Sequence, residues 1–260
     1  MRHPLTPSSL HHACHGAGDP LLLLHGLGSS SADWQLQVPV FARRYRVLTV
    51  DLPGHGRSPR PAGPLTVEAM AEAVAALLAE RAEPPAHVVG LSLGGCVALA
   101  LALQHPARVR TLTLVNTFAR LRPAGLRGAR RMAARLGLLL AAPMPSVAAY
   151  VARGLFPRPV QRPLYEEATA RLARNPRGAY LAAIHAIARF NVLPRLGALH
   201  CPTLVLAGNC DQTVPLAAAH ALQAAIPSAR LRLIADSGHA TPYDQPQAFN
   251  AAVLAFLAEH

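Results

Sequence analysis

Short apolar runs that alternate with helical stretches predict an α/β protein: a mostly parallel sheet flanked by helices, with a helical segment inserted into it. Three observations carry the assignment. Apolar runs recur at Leu21 to Leu24, Tyr45 to Val50, Ala86 to Val89, Val109 to Val115, Thr203 to Ala207 and Arg230 to Ile234. Helical composition or periodicity lies between most of them. From Arg120 to Leu199 the strand pattern vanishes and only helical stretches separated by prolines remain.

In order, Leu10 to Cys14 and Leu21 to Leu24 flank the turn His15-Gly16-Ala17-Gly18-Asp19-Pro20 and read as a hairpin. The second of these strands is apolar throughout, as expected for a strand covered on both faces. It runs into His25-Gly26-Leu27-Gly28, a glycine-bearing loop that can bring a backbone N–H close to a reacting atom, and Ser29 to Asp33 then supply helix-start residues before Trp34. The strand Tyr45 to Val50 ends in the turn-rich loop Asp51 to Ser58. Leu65 to Arg81 carries Val67, Met70, Ala71, Val74, Leu77 and Leu78 at helical spacing. Ala86 to Val89 leads into Gly90-Leu91-Ser92-Leu93-Gly94 and a small-residue helix, Gly95 to Leu103, and Val109 to Val115 is the next strand. Helices are expected at Leu126 to Leu140, Tyr165 to Arg174 and Ala179 to Phe190 within the insertion, then at Leu216 to Ala225 and Gln247 to Ala258. The predicted organisation is a core of residues 1–119 and 200–260 with a helical, arginine-rich lid at 120–199.

Composition sets limits on function. At 260 residues the chain fits one domain with a large core, or a core with an insertion; 52% hydrophobic content with 24 prolines spread along it argues against disorder. Apolar runs are too short for a transmembrane helix. His11, His12, His15 and Asp19 interrupt Met1 to Pro20, so that stretch lacks a signal-peptide core and a cytoplasmic protein is expected. Cys14, Cys96, Cys201 and Cys210 form no C-x-x-C pair and are expected to be reduced. The three early histidines have no companion cluster of ligands, so neither metal nor cofactor is expected. All 25 basic residues are Arg, and residues 120 to 195 hold 14 of them against Glu166 and Glu167, which places the whole excess of the +12 net charge in one segment. No recognition motif or aromatic platform accompanies it, so specific nucleic-acid binding is not expected.

The chemistry centres on Gly90 to Gly94. In a G-x-S-x-G elbow the serine sits on a cramped strand-to-helix turn, and glycines on both sides remove Cβ atoms that would clash. A serine hydroxyl needs a base within hydrogen-bond reach, itself oriented by a carboxylate. His239, in Ser237-Gly238-His239, and Asp211, in Gly208-Asn209-Cys210-Asp211, lie in loops after the last two strands, at the sheet edge where Ser92 also falls. Asp236 and Asp244 are rival carboxylates, the first too near His239 in sequence to reach its far nitrogen easily. His25, His55 and Asp51 read as loop-shaping residues, and Cys96 lies too far into its helix to replace Ser92.

These features, in this order, together with His25 to Gly28, the Asp51 to Ser58 loop and Val214-Pro215, make the chain resemble the α/β-hydrolase superfamily over essentially its whole length. The resemblance implies that Ser92 is the nucleophile, His239 the general base and acid, and Asp211 the residue orienting it. It further implies that the backbone N–H groups of Leu27 and Leu93 form an oxyanion hole. Serine at the elbow argues against the dehalogenase and epoxide-hydrolase branches, which use aspartate. Asp51 to Gly54 and Met70 to Val74 resemble the pimeloyl-carrier-protein methyl ester esterases, and Val115-Asn116-Thr117 resembles enol-lactone hydrolases.

The expected activity is hydrolysis of a small carboxylic ester through an acyl-enzyme. The alternatives are a methyl ester esterase acting on an acyl-carrier-protein-linked substrate, a lactone or C–C bond hydrolase, and a non-catalytic ligand sensor that retains the triad. In the lid, Arg127, Arg131 and Arg135 fall at four-residue spacing with Arg130 beside them. They read either as a solvated basic face or as a surface for an acidic carrier protein, an acidic or phosphorylated substrate, or an anionic membrane.

Overall fold

The computed structural model describes residues 10–121 and 125–260, with the Arg127 side chain outside the description. Seven strands, β1 (His12–His15), β2 (Pro20–Leu24), β3 (Arg46–Val50), β4 (Ala86–Leu91), β5 (Val109–Val115), β6 (Thr203–Gly208) and β7 (Ala229–Ile234), form one sheet in the order β1-β3-β2-β4-β5-β6-β7. Every neighbouring pair is parallel except β1 with β3.

The pleat decides which side chain goes to which layer. Leu22, Leu24, Leu48, Val50, Val88, Leu112 and Leu114 point to one face, where α2 (Val67–Glu80), α3 (Leu93–Gln104) and α8 (Leu216–Ala225) cover them. Leu21, Leu23, Val47, Val89, Leu91 and Val115 point to the other, against Trp34, α1 (Val38–Phe41) and Phe249, Val253 and Phe256 of α10 (Pro246–Leu257). Phe249 sits between the rings of Trp34 and Phe41, at centroid distances of 6.3 and 6.5 Å. Each fully buried side chain of this kind contributes about 1.5–3 kcal/mol. Local signals agree with the packing. Thr66 caps α2 by accepting from Ala69 N–H at 3.0 Å, and α3 is buried continuously from Leu93 to Ala102, as its run of small residues requires.

The predicted hairpin is corrected. β1 pairs with β3, and β2 has β3 on one side and β4 on the other. A strand buried at all five residues needs neighbours on both edges, so β3 inserts between the two strands that a local reading would pair. The turn clears the segment between α1 and β3 through glycine: a Cβ at Gly16, where φ is +77°, would lie 2.4 Å from the Ala42 carbonyl oxygen.

Between β5 and β6 lie α4 (Gly125–Ala141), α5 (Met144–Leu155), α6 (Arg162–Ala173) and α7 (Arg177–Arg189). α5 falls in a stretch that reads as a proline break; Pro145 lies in its first turn, where a missing N–H removes no hydrogen bond. Leu139, Val147, Ala148, Ala152, Leu172 and Tyr180 form a core within the insertion, against which Leu27 packs. Ala183, Ala186 and Ile187 of α7 join the main core instead. The chain leaves and returns at one place, where Arg120 bridges Asn191 and Val192 N–H donates to the Ala119 carbonyl at 2.9 Å. Among the described residues no helix is long and apolar enough to cross a membrane.

Candidate active site

Ser92 joins β4 to α3 with φ 53° and ψ −112°, a conformation that costs about 1–3 kcal/mol for a residue with a side chain. The surroundings enforce it. A Cβ at Gly90 would lie 2.3 Å from the Gly94 oxygen, one at Gly94 2.1 Å from the Leu24 oxygen, and one at Gly95 2.6 Å from the Thr117 side chain. Ser92 N–H donates to the Val115 carbonyl at 2.9 Å, and the Ser92 carbonyl accepts from Thr117 Oγ1 at 2.6 Å. Ser92 is half-buried between fully buried neighbours, and its Oγ has no hydrogen-bond partner among the described residues.

The loops after β6 and β7 bring Asp211 to His239, with Oδ2 2.7 Å from Nδ1. Asp211 Oδ1 accepts from the N–H groups of Thr213 at 2.7 Å and Val214 at 3.0 Å, which fixes the carboxylate in its own loop. The contact commits Nδ1 of His239 to Asp211 and leaves Nε2 as the nitrogen available to another group. Asp244 binds Ser237 Oγ at 2.8 Å and Gly238 N–H at 2.6 Å, so it holds the histidine loop rather than the ring. Asp236 has an exposed side chain and a positive φ of 53°.

Sequence reasoning missed Asn116. This residue, 3% exposed with φ 45°, donates from Nδ2 to the carbonyls of His239 at 2.8 Å and Gly238 at 3.2 Å and to Thr241 Oγ1 at 2.7 Å. Its Oδ1 accepts from Gly208 N–H at 2.9 Å. One buried amide thereby ties the end of β6 to the histidine loop. The only local signal is a polar residue directly after β5, at the edge from which Ser92 and the two loops also project.

On the other side of the elbow, His25 Nε2 accepts from Leu52 N–H at 3.0 Å, so Nδ1 carries the proton and donates to the Gly26 carbonyl at 2.8 Å. Burial, with His55 adjacent, pushes the His25 pKa down to about 3 and keeps the ring neutral. Asp51 accepts from the N–H groups of Ser31 at 2.6 Å and Arg57 at 2.8 Å. These bonds shape the loop carrying Leu27. The N–H groups of Leu27 and Leu93 donate to nothing among the described residues. Cys96 is fully buried, and burial pushes its thiol up to about 12.

The arginines of the inserted helices make different contacts. Arg127 has its side chain outside the described residues, and Arg130 is exposed. Arg131 donates from Nη1 to the carbonyl of Gln212 at 2.9 Å and to its Oε1 at 3.2 Å, beside Asp211. Arg135 turns inward, donates to Tyr180 Oη and stacks on that ring, with Cζ 5.3 Å from its centroid. Arg171, absent from the sequence-based candidates, ties α6 to both flanks of the site. Its Nη1 reaches Asp33 Oδ1 and Tyr243 Oη at 2.6 Å each, and Nη2 reaches Glu167. Tyr243 belongs to α9 (Thr241–Asp244), directly after the histidine loop. Burial, opposed by Arg171, raises the Asp33 pKa to about 6.

Among the described residues no three metal-ligating side chains gather. A hydroxyl on a strained turn, an imidazole held by a carboxylate and two undonated N–H groups at one sheet edge are the parts that acyl transfer to water requires.

The family profile described as the alpha/beta hydrolase fold matches residues 19–246. A relative from Azorhizobium caulinodans, named provisionally as carbamate hydrolase RutD, is 35% identical over 260 residues, covering 97% of this chain and 96% of its own. The crystal structure of a hydrolase from Pseudomonas aeruginosa PA01 is similar with a TM-score of 0.87 at 33% identity, covering 98% of each chain. The enol-lactonase from Burkholderia xenovorans LB400 gives a TM-score of 0.87 at 26% identity, with 96% of each chain covered.

Proposed function

The chain belongs to the alpha/beta hydrolase family, and from that premise we propose that it cleaves carboxylic esters through an acyl-enzyme formed on Ser92. His239 Nε2 takes the Ser92 Oγ proton as the oxygen attacks the acyl carbon. The N–H groups of Leu27 and Leu93 receive the oxyanion, and losing one such donor typically costs on the order of 10²–10³ in rate. Collapse breaks the bond to the alcohol, which leaves with the proton from His239. Water, deprotonated by the same nitrogen, then attacks the acyl-enzyme; the second tetrahedral intermediate returns Ser92 and releases the acid. Asp211 orients the ring and stabilises its cationic form. Residues 120–199 act as the lid over this site.

The observation that most supports this reading is the 2.7 Å contact between Asp211 and His239 at the sheet edge where Ser92 is held on its elbow. Labelling with a fluorophosphonate, followed by a chain-length series of esters, tests it. One covalent label lost in Ser92→Ala, together with loss of turnover, is expected. Ester hydrolysis unaffected by Ser92→Ala would falsify the mechanism, and binding without turnover would favour a sensor.

A second reading comes from the relatives of 35% identity named for carbamate hydrolysis. A carbamate carbonyl would be attacked in the same geometry, with an amine or alcohol as leaving group. Ammonia release from a carbamate, compared with acid release from a matched ester, decides which bond the site prefers.

A further inference from the structure

Arg135 presents an anomaly of charge. A guanidinium held partly out of water is ordinarily paired with a carboxylate or phosphate, because the charge loses hydration that a neutral partner does not fully replace. All 13 acidic residues of the chain lie within the described residues, and none forms an ion pair with Arg135. The side chain is half-buried, and its Nε is sealed from solvent with no hydrogen-bond acceptor. Its hydrogen-bond and cation–π partner among the described residues is Tyr180, through the hydroxyl and the ring face, both neutral.

The position of this cation matters as much as its lack of a counter-ion. A Cβ built on Gly28 would lie 2.6 Å from Tyr180 Cε2, so the ring under Arg135 rests on the residue next to Leu27. One turn earlier on α4, Arg131 is bonded to Gln212, next to Asp211. α4 therefore runs from the loop of the carboxylate to the loop of the undonated Leu27 N–H, above the edge where Ser92 lies. Arg135 stands at the Leu27 end with a fork of donors and no acid.

We propose that Arg135 is an anion-recognising residue of the substrate pocket, and that the natural substrate carries an ionised carboxylate in addition to the bond that is cleaved. The proposal rests on the ester-hydrolase reading and gives its substrate a chemical class. Tyr180 pre-orients the guanidinium by stacking and one hydrogen bond from Nη2, which leaves the N–H groups of Nη1 and the second one of Nη2 for a planar carboxylate. Arg130, exposed on the same helix, lacks such a support.

Mono-p-nitrophenyl succinate and p-nitrophenyl butyrate differ in little but the terminal carboxylate. The ratio of their kcat/KM values is expected to favour the succinate ester in the native protein and to fall by about 10- to 100-fold in Arg135→Gln, mainly through KM. Arg135→Lys is expected to fall between them, and Arg130→Gln to leave the ratio in place. A ratio unchanged by Arg135→Gln, or moved equally by Arg130→Gln, overturns the proposal. Calorimetric titration with glutarate provides an arm that requires no turnover: binding to the native protein, lost in an Arg135→Gln variant that melts cooperatively, supports the subsite even if neither ester is hydrolysed. Glutarate binding equally well to both proteins, not binding the native protein, or binding more weakly than methyl phosphate overturns the carboxylate assignment.

Discussion

Replacing Asn116 by alanine is expected to destabilise the fold by about 4 kcal/mol and to disable the histidine loop. The amide serves four partners, but the consequences of removing it are unequal. The Gly238 carbonyl keeps Thr241 Oγ1 at 3.2 Å, and Thr241 Oγ1 keeps Ser237 Oγ at 2.8 Å. The N–H of Gly208 and the carbonyl of His239 keep no other partner among the described residues. Two buried groups left unsatisfied cost about 1–3 kcal/mol each, and alanine at a φ of 45° tolerates the left-handed backbone less well than asparagine. For a chain of this size the loss corresponds to roughly 10 °C in melting temperature. The hydrogen bond to the His239 carbonyl also sets the height of the ring, and a 1 Å misplacement can lower turnover by about 10²-fold. Thermal melts and ester kinetics should therefore move together. Asn116→Asp separates charge from shape: it retains an acceptor for Gly208 but aims a carboxylate at two carbonyl oxygens, so it should be more disruptive at pH 8 than at pH 5. An alanine variant with native melting temperature and kcat within twofold would refute the assignment of His239 positioning to this residue.

Ser92→Ala should reduce ester turnover by at least about 10⁴-fold and abolish fluorophosphonate labelling. Ser92→Gly should stabilise the protein by about 1 kcal/mol and so raise its melting temperature by about 2–4 °C, because it relieves the strained φ, and a lower melting point in differential scanning calorimetry would contradict the strain. Gly28→Ala should displace Tyr180, since its Cβ would lie 2.6 Å from that ring at a φ of 72°, and lower both stability and turnover; an unchanged melt and KM would contradict it. Burial lowers the pKa of His87, which is 1% exposed, to about 4 from the ordinary 6.5. A depressed histidine contributes stability above pH 6.5 that is lost as pH falls towards 4. The loss should amount to about 3 kcal/mol, and urea unfolding of His87→Gln should show a flatter profile across that window.

The sheet was legible where residues carry both of their environments in their own identity. Leu21 to Leu24, bounded by turn residues, is a strand with two covered faces, and the glycines around Ser92 mark the elbow because a Cβ on each would come within 2.6 Å of a backbone or side-chain atom. Strand order was not legible in the same way. The His15 to Pro20 turn resembles a hairpin locally, and only the need of β2 for two neighbours places β3 between the arms. Pro143 and Pro145 concealed α5 because proline ends one helix and begins another equally well. Asn116 and Arg171 escaped notice because their partners lie far away in sequence: 123 residues separate Asn116 from His239, and 138 separate Arg171 from Asp33. The arginine spacing of α4 located a basic face but could not tell which side chain turns inward, since that depends on Tyr180, 45 residues on.

The neck at Ala119, Arg120, Asn191 and Val192 has a consequence for how such a chain can diversify. Because the outgoing and returning segments touch, the ends of β5 and β6 are tied together at the neck itself, independently of the length of chain between them. A transplant from another protein that keeps this pair of backbone contacts would leave the spacing of the strands that carry Asn116 and the Asp211 loop in place. The graft has to stop short of α7, whose Ala183, Ala186 and Ile187 belong to the main core. Specificity can thus be exchanged as a cassette between Arg120 and the start of α7, provided that the graft again supplies partners for Gln212, Asp33 and Tyr243, which Arg131 and Arg171 now hold.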